Sequence, residues 1–200
     1  MLGYNRCKLI VERALKLTAN TSDKIINYGE GNLYTQEISE LIYASKTASA
    51  AVEKMTENII CEGFKNKEFA EKTNGNGYNM NDILETTAND ISRFKGWAWI
   101  IQYGITPSGY KPVDVYTVPF EYVRAELHDN YRKDPTIKRW RVFNNWLKEN
   151  IKATNVAENS TEYPTYDPDH FAVEVEDYGG LENHPGQLLY LSLIHISEPT

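Results

Sequence analysis

Cysteine is scarce in this chain of 200 residues, which contains only two, Cys7 and Cys61. Two thiols are too few for a cysteine-based metal cluster, and a disulfide between them is less expected than free, buried thiols in a reducing compartment. The four histidines show neither i,i+4 spacing nor a His-Glu-x-x-His pattern, which argues against a zinc site. They are His128, His170, His184 and His195.

Long apolar runs are also missing. No window approaches the roughly 18 apolar residues of a membrane-spanning helix, and the first residues lack the continuous apolar core and cleavage site of a secretory signal. Hydrophobic residues make up 41% of the chain and charged residues 24%, both typical of globular proteins. The sequence therefore predicts one ordinary domain or two small ones.

Positive charge is absent from the last part of the chain. Residues 153–200 contain no Lys or Arg and nine acidic residues, whereas residues 120–152 contain eight basic and five acidic ones. The whole chain has a net charge of −7, which argues against a protein whose main role is to coat duplex DNA or an anionic membrane. The change at Ala153 is compatible with an acidic flap or with a solvated loop face.

Apolar periodicity predicts helices in the first half of the chain. An amphipathic opening helix is expected over residues 1–19, and a long helix over residues 38–62 has steps of three and four between its apolar positions and a centre of small residues. That apolar stripe fits either plain core or a helix interface between subunits. Another helix, capped by Asn79 or Asn81, is expected to run to about Lys95, after an exposed loop over residues 65–78.

After Gly96 the apolar period changes to two, which predicts strands. A hairpin is expected from residues 97–103 and 113–118, with further strands at 137–144, 171–176 and 187–191 and a loop over 150–169. Helices over residues 33–95 followed by a β-rich region over 96–190 predict an α+β fold with a mainly antiparallel sheet.

The acidic residues between 167 and 177 are the best candidates for catalysis or Ca²⁺ binding, namely Asp167, Asp169, Glu174, Glu176 and Asp177. The spacing of a Ca²⁺ loop is absent, however, and Asp167 and Asp169 flank Pro168 as in a turn. No nucleophile elbow is present either. We therefore expect a protein that is not an enzyme and has no cofactor or metal; a hydrolase based on this acidic cluster is a third hypothesis.

Basic and aromatic residues alternate over residues 131–146, which is typical of surfaces that bind nucleic acid or another subunit. The alternation also fits an ordinary amphipathic strand, with Lys138, Trp140 and Val142 on one side and two arginines on the other. The candidate interface residues are Arg132, Lys138, Arg139, Trp140, Arg141 and Trp146.

The order of several segments resembles a known family. A helix ending in Glu62-Gly63-Phe64 precedes Phe94-Lys95-Gly96-Trp97-Ala98-Trp99 and a Pro-led segment, Val118–Arg124. Downstream stand Tyr163–Pro168, Gly179-Gly180 and His184–Tyr190. From about Asn20 to Tyr190 this succession is similar to the N-terminal half of tailed-phage portal proteins from phages and prophages of gut Bacteroides-like bacteria.

The resemblance implies a portal-like α+β region and a structural subunit of the head–tail connector. Such subunits form a homo-oligomeric ring, commonly a dodecamer, through which double-stranded DNA enters and leaves the capsid. The implied partners are the terminase, capsid or scaffold proteins and tail adaptors, in the host cytoplasm during assembly and then in the virion, without a membrane. The basic 120–152 and acidic 153–190 stretches would then serve as complementary ring patches. The alternative function is that of a single-stranded nucleic-acid-binding or packaging accessory module that uses residues 131–146.

The last residues, 191–200, resemble translated sequencing-adapter read-through. Portal proteins also continue into pore-lining helices and a C-terminal crown that have no counterpart in this sequence. We therefore expect a truncated fragment with a non-native tail, and we exclude His195 from any site.

Overall fold

Among the residues that the structure describes, helices occupy the first part and strands most of the rest. The computed structural model describes residues 25–29, 32–128, 137–144, 146, 156 and 158–192. Helices and two antiparallel three-stranded sheets give this part an α+β fold, as expected from the sequence. The opening helix expected over residues 1–19, Cys7 and the candidate interface residue Arg132 lie outside the described residues. No helix in the described ranges is both long and apolar enough to cross a membrane.

The long helix expected over residues 38–62 is wrong, because two helices occupy this segment. Helix α1 spans Tyr34–Ala44 and helix α2 spans Lys46–Ile60. Between them Ser45 is extended, with φ −127° and ψ 112°, and its side chain accepts a hydrogen bond from the Ala48 N–H at 3.3 Å. A serine at this position caps a new helix rather than continuing the old one.

Two further helices precede the strands. Helix α3, Lys67–Glu71, interrupts the expected loop over residues 65–78 and is capped by the Asn66 side chain. Helix α4, Met80–Phe94, is capped by Asn79, one of the two predicted candidates, which exchanges hydrogen bonds with Asp82 in a capping box. The chain leaves α4 through Lys95, whose φ of 61° turns it directly into the first strand.

The first sheet has the order β2-β1-β6. Strands β1, Gly96–Thr106, and β2, Gly109–Val118, form the predicted hairpin, and β6, Gln187–Ser192, pairs with the other side of β1. A Cβ at Gly96 would lie 2.2 Å from the Phe120 ring, so only glycine fits where α4 meets the sheet. Residues 191 and 192, the first two of the expected tail, pair with Trp97 and Gly96.

The second sheet has the order β3-β4-β5. A 3-10 turn, Phe120–Tyr122, follows Pro119 and leads into β3, Val123–Leu127. Strand β4, Ile137–Val142, lies within the predicted strand over 137–144. Strand β5, Thr161–Tyr163, lies inside the segment expected to be a loop, so that expectation is wrong there. Its three residues are too few to give a periodic signal.

The strand expected over residues 171–176 is a helix, α5, Phe171–Asp177. Phe171 and Val175 are buried and Val173 is exposed. Residues 171 and 175 share one face of a helix as well as one face of a strand, so the alternating sequence fits both. A second 3-10 turn, Leu181–Asn183, connects α5 to β6.

One hydrophobic core joins the two sheets. Buried residues of the first sheet, Ala98, Val118 and Leu188, pack against Val123 and Trp140 of the second. The Tyr190 ring bridges them to the helices, since it stacks on Trp140 at a centroid distance of 4.2 Å and on Phe120 at 5.7 Å. Phe120 in turn stacks on Phe94 at the end of α4.

Candidate functional site: the charged face of the second sheet and the α1–α2 surface

The two arginines of β4 that the sequence marks as interface residues bind carboxylates of the neighbouring strands. In the register of the sheet, Arg139 lies opposite Glu126 of β3, and Arg141 lies opposite Glu162 of β5. Arg139 holds Glu126 with two hydrogen bonds, of 2.9 and 3.0 Å, and also contacts Glu162. Arg141 contacts Glu126 and reaches Glu162 at 2.8 Å. We call these four residues the charged cluster.

The charged cluster neutralises its own members. Burial by itself raises the pKa of the Glu126 carboxyl, but the hydrogen bonds from Arg139 and Arg141 outweigh burial, and the pKa lies below its usual range. The hydrogen bond to Glu126 likewise raises the pKa of Arg139. Arg141 is buried and also donates to Ser160 Oγ at 2.9 Å. These two arginines therefore pair within the subunit, and their role as interface residues stays a prediction.

The aromatic members of the candidate set make contacts within the chain, and Trp140 is buried. Trp140 is 4% exposed, and its Nε1–H donates to Thr165 Oγ1 at 3.1 Å. Trp146 donates from Nε1 to the Tyr122 carbonyl at 2.7 Å and contacts Phe143 edge to face. Lys138 is exposed on β4. The predicted alternation of the strand is confirmed, and both tryptophans make their contacts within the chain.

Arg124 is a buried cation that the sequence reasoning did not single out. It is 0% exposed, its guanidinium lies 3.9 Å from the centre of the Tyr28 ring, and its Nε donates to Asn32 Oδ1 at 2.8 Å. Burial lowers the pKa of Arg124 to about 10, so it stays charged at neutral pH. The available signal was one basic residue between two apolar ones, Val123 and Ala125, in a short strand.

The acidic residues around 167 form two separate arrangements. Asp167 accepts hydrogen bonds from the N–H groups of Asp169 and His170 and from His170 Nδ1, as expected for a turn. Glu174 instead accepts from Gln187 Nε2 at 2.8 Å and lies 3.4 Å from His184 Nε2. Burial lowers the pKa of His184 despite this carboxylate. Within the described ranges, no group of three His, Cys, Asp or Glu side chains is placed to hold a metal ion.

A shallow groove of about 180 Å³ runs beside strand β2 and is lined mainly by Phe69, Met80, Pro112 and Val113. The segment before α4 covers the free edge of β2. Lys72 Nζ donates to the Val113 carbonyl at 3.1 Å, and Asn74 Nδ2 donates to the Val115 carbonyl at 2.9 Å. These contacts protect an edge that could otherwise pair with another strand.

The structure also departs from the expected core at the exposed apolar side chains of α1 and α2, Tyr43, Met55 and Ile59, which we call the α1–α2 surface. Of the fifteen residues of α2 only Thr56 is buried, where its hydroxyl meets Ser92 of α4 at 3.1 Å. Met55 and Ile59 are 38% and 36% exposed, and Tyr43 at the end of α1 is 86% exposed. Cys61, expected to be buried, is exposed. The apolar stripe is therefore only partly core, and the α1–α2 surface is a candidate contact surface.

Comparisons with protein families, with curated proteins and with solved structures returned no match for this chain.

Proposed function

We propose that this chain is a structural subunit of a phage portal ring, the head–tail connector through which DNA is packaged into the capsid and ejected from it. The proposal rests on the order of segments that resembles portal proteins and on one structural observation, the partly uncovered α1–α2 surface. A ring of identical subunits needs two different complementary patches on each subunit. The α1–α2 surface supplies a candidate for one of them.

The chemistry of this surface favours protein contact over binding of nucleic acid. Its stripe on α2 consists of small and apolar residues at successive turns, namely Ala48, Val52, Met55 and Ile59. Small residues near the start of the stripe let another backbone approach closely, and Met55 and Ile59 supply apolar area to bury. The charged cluster, by contrast, is paired within the chain and offers little free positive charge to phosphates.

As a portal subunit the chain would act without catalysis or a cofactor. Its partners would be further copies of itself, the terminase, capsid or scaffold proteins and tail adaptors, with double-stranded DNA passing through the ring. It would assemble in the host cytoplasm and remain in the virion. These partners follow from the family resemblance alone.

The oligomeric state of the purified chain tests the proposal. We expect the mass measured by light scattering to increase with concentration, as copies of the chain associate. The double variant Met55→Glu with Ile59→Glu should remain monomeric, because each carboxylate would lose its hydration in the interface. The matched control, Ala50→Glu with Asn58→Glu, adds the same charge to exposed positions elsewhere around α2 and should assemble normally.

Circular dichroism would confirm that both double variants retain their helices. A wild-type chain that stays monomeric at every concentration would contradict the proposal. If the two double variants lost assembly equally, the α1–α2 surface would not be the subunit contact, and the proposal would lose its structural support.

A further inference from the structure

The dipeptide Asn-Gly occurs twice within four residues, as Asn74-Gly75 and Asn76-Gly77. Asparagine before glycine is the sequence most prone to lose its side-chain amide, because the backbone nitrogen of the next residue can attack the side-chain carbonyl carbon without hindrance from a Cβ. In an unfolded chain the two sites should react at similar rates. The fold distinguishes them.

Asn74 is held by hydrogen bonds at both ends of its amide. Its Oδ1 accepts from the N–H groups of Asn76 and Tyr78 at 3.0 and 3.1 Å, and its Nδ2 donates to the Val115 carbonyl at 2.9 Å. The attacking atom is held as well, since Gly75 N donates to Asp114 Oδ2 at 3.1 Å. Cyclisation at Asn74 therefore requires several hydrogen bonds to break together.

Asn76 is held much less firmly. It is exposed, and within the described part of the chain its side chain makes no hydrogen bond. Gly77 N makes a single backbone hydrogen bond, to the Asn74 carbonyl at 2.9 Å. Gly77 has a φ of +83°, and no atom lies within 4 Å of the place a Cβ would occupy. The Asn76 side chain and the Gly77 nitrogen can thus rotate toward each other into solvent.

We propose that Asn76 is a site of spontaneous deamidation in the folded protein and that Asn74 is protected. Solvent hydroxide removes the Gly77 N–H proton, and the nitrogen forms a bond to Asn76 Cγ. The Cγ–Nδ2 bond then breaks, and ammonia leaves with a proton taken from water. One water molecule opens the resulting succinimide at either of its two carbonyls, which yields aspartate or isoaspartate. Water and hydroxide are the only co-reactants.

The product changes the turn that covers the edge of β2. Either product adds a carboxylate at position 76, and isoaspartate also lengthens the backbone by one methylene. The same turn holds the hydrogen bonds from Asn74 Nδ2 to the Val115 carbonyl and from Gly75 N to Asp114 Oδ2. Modified molecules should therefore hold this edge less firmly than unmodified ones.

Peptide mapping of the intact, folded chain tests the proposal. After incubation in mildly alkaline buffer, digestion with trypsin under mildly acidic conditions releases residues 73–93, which contain both sites. Fragment ions then locate the gain of one mass unit. We expect Asn76 to react roughly tenfold faster than Asn74 or more in the folded chain, given the additional hydrogen bonds that Asn74 must break. In concentrated urea the two rates should converge.

The variant Asn76→Gln is the control, since glutamine must form a larger ring and reacts far more slowly. It should lose the early product and keep the fold, because the Asn76 side chain bonds to nothing in the described part of the chain. Equal rates at Asn74 and Asn76 in the folded wild type would overturn the proposal. So would a folded-state rate at Asn76 no higher than that at Asn81, which precedes an aspartate in the same peptide.

Discussion

Glu126 balances the interior charge of the second sheet. It accepts from Arg139 and Arg141, and its side chain is 11% exposed against 37% for Glu162, the other carboxylate of the charged cluster. A partly buried guanidinium that loses its carboxylate keeps its desolvation cost without the compensating attraction. The stability of this sheet should therefore depend more on Glu126 than on Glu162.

Replacing Glu126 by glutamine should lower the free energy of unfolding by about 2–3 kcal/mol at neutral pH. Because the folded-state pKa of Glu126 is lowered, its contribution is complete above the ordinary glutamate pKa of about 4.3 and is lost as the pH falls through the lower folded value. Urea unfolding at neutral and acidic pH measures both effects. Glu162→Gln is the matched control with a smaller expected loss, and an equal or larger loss there would contradict the prediction.

Asp90 should show the opposite pH dependence. Its carboxylate accepts from the Phe120 N–H at 3.1 Å, and burial raises its pKa to about 6. Ionisation of Asp90 is therefore harder in the folded than in the unfolded chain, and the contribution of Asp90 to stability falls as the pH rises from about 4 toward that value. The stability of Asp90→Asn relative to wild type should increase over this interval in urea titrations. A difference that does not change with pH would contradict this assignment.

At the scale of elements, the break between α1 and α2 depends on one hydroxyl. Ser45 accepts from the Ala48 N–H and leaves the helical conformation, while the apolar periodicity continues across it. The Ser45 side chain therefore sets the end of one helix and the start of the next, which the apolar periodicity does not indicate. The sequence of α5 is also ambiguous, because its alternating apolar residues fit either a helix or a strand. In the structure the Phe171 ring stacks on the Tyr103 ring at a centroid distance of 3.7 Å, and the segment is a helix.

The variant Ser45→Ala should lower the free energy of unfolding by about 1 kcal/mol, because the first turn of α2 loses its side-chain acceptor. Thermal unfolding followed by circular dichroism would measure it. Ser49→Ala, a change of the same size within α2, should be nearly neutral or slightly stabilising, since alanine favours helix. Losses of equal size in the two variants would show that Ser45 does not act as a cap.

At the scale of the molecule, Tyr190 links the two sheets and the helices. Its ring stacks between Trp140 and Phe120, and its hydroxyl lies 2.7 Å from the Tyr28 hydroxyl. Since the core is shared, both sheets should unfold in one transition. Tryptophan fluorescence reports on both sheets, because Trp97 and Trp99 lie in the first and Trp140 in the second.

Tyr190→Ala should lower the free energy of unfolding by about 3 kcal/mol or more, through loss of apolar contact and the cavity that remains. Tyr190→Phe keeps the ring and should cost only about 1 kcal/mol for the lost hydroxyl. Fluorescence and circular dichroism should give the same midpoint for the wild type. Separate midpoints, or equal losses in the two variants, would contradict the role assigned to this ring.

The α+β class, the cap of α4 at Asn79, the β1–β2 hairpin and the alternation of β4 were all predictable from the sequence. Each depends on residues close together in the chain, whose propensities and periods act locally. The portal proposal also comes from the sequence, through the order of its segments, and it stays a proposal.

Tertiary structure alone decided which charges and surfaces are free. Strand pairing brings Arg139 and Arg141 within hydrogen-bonding distance of Glu126, and helix packing brings the Thr56 hydroxyl to Ser92. The local sequence encodes neither contact. The same holds for the protection of Asn74 by Val115 and for the exposure of α2. A sequence specifies what each residue prefers, whereas pairing between distant segments depends on how all of them fill one core.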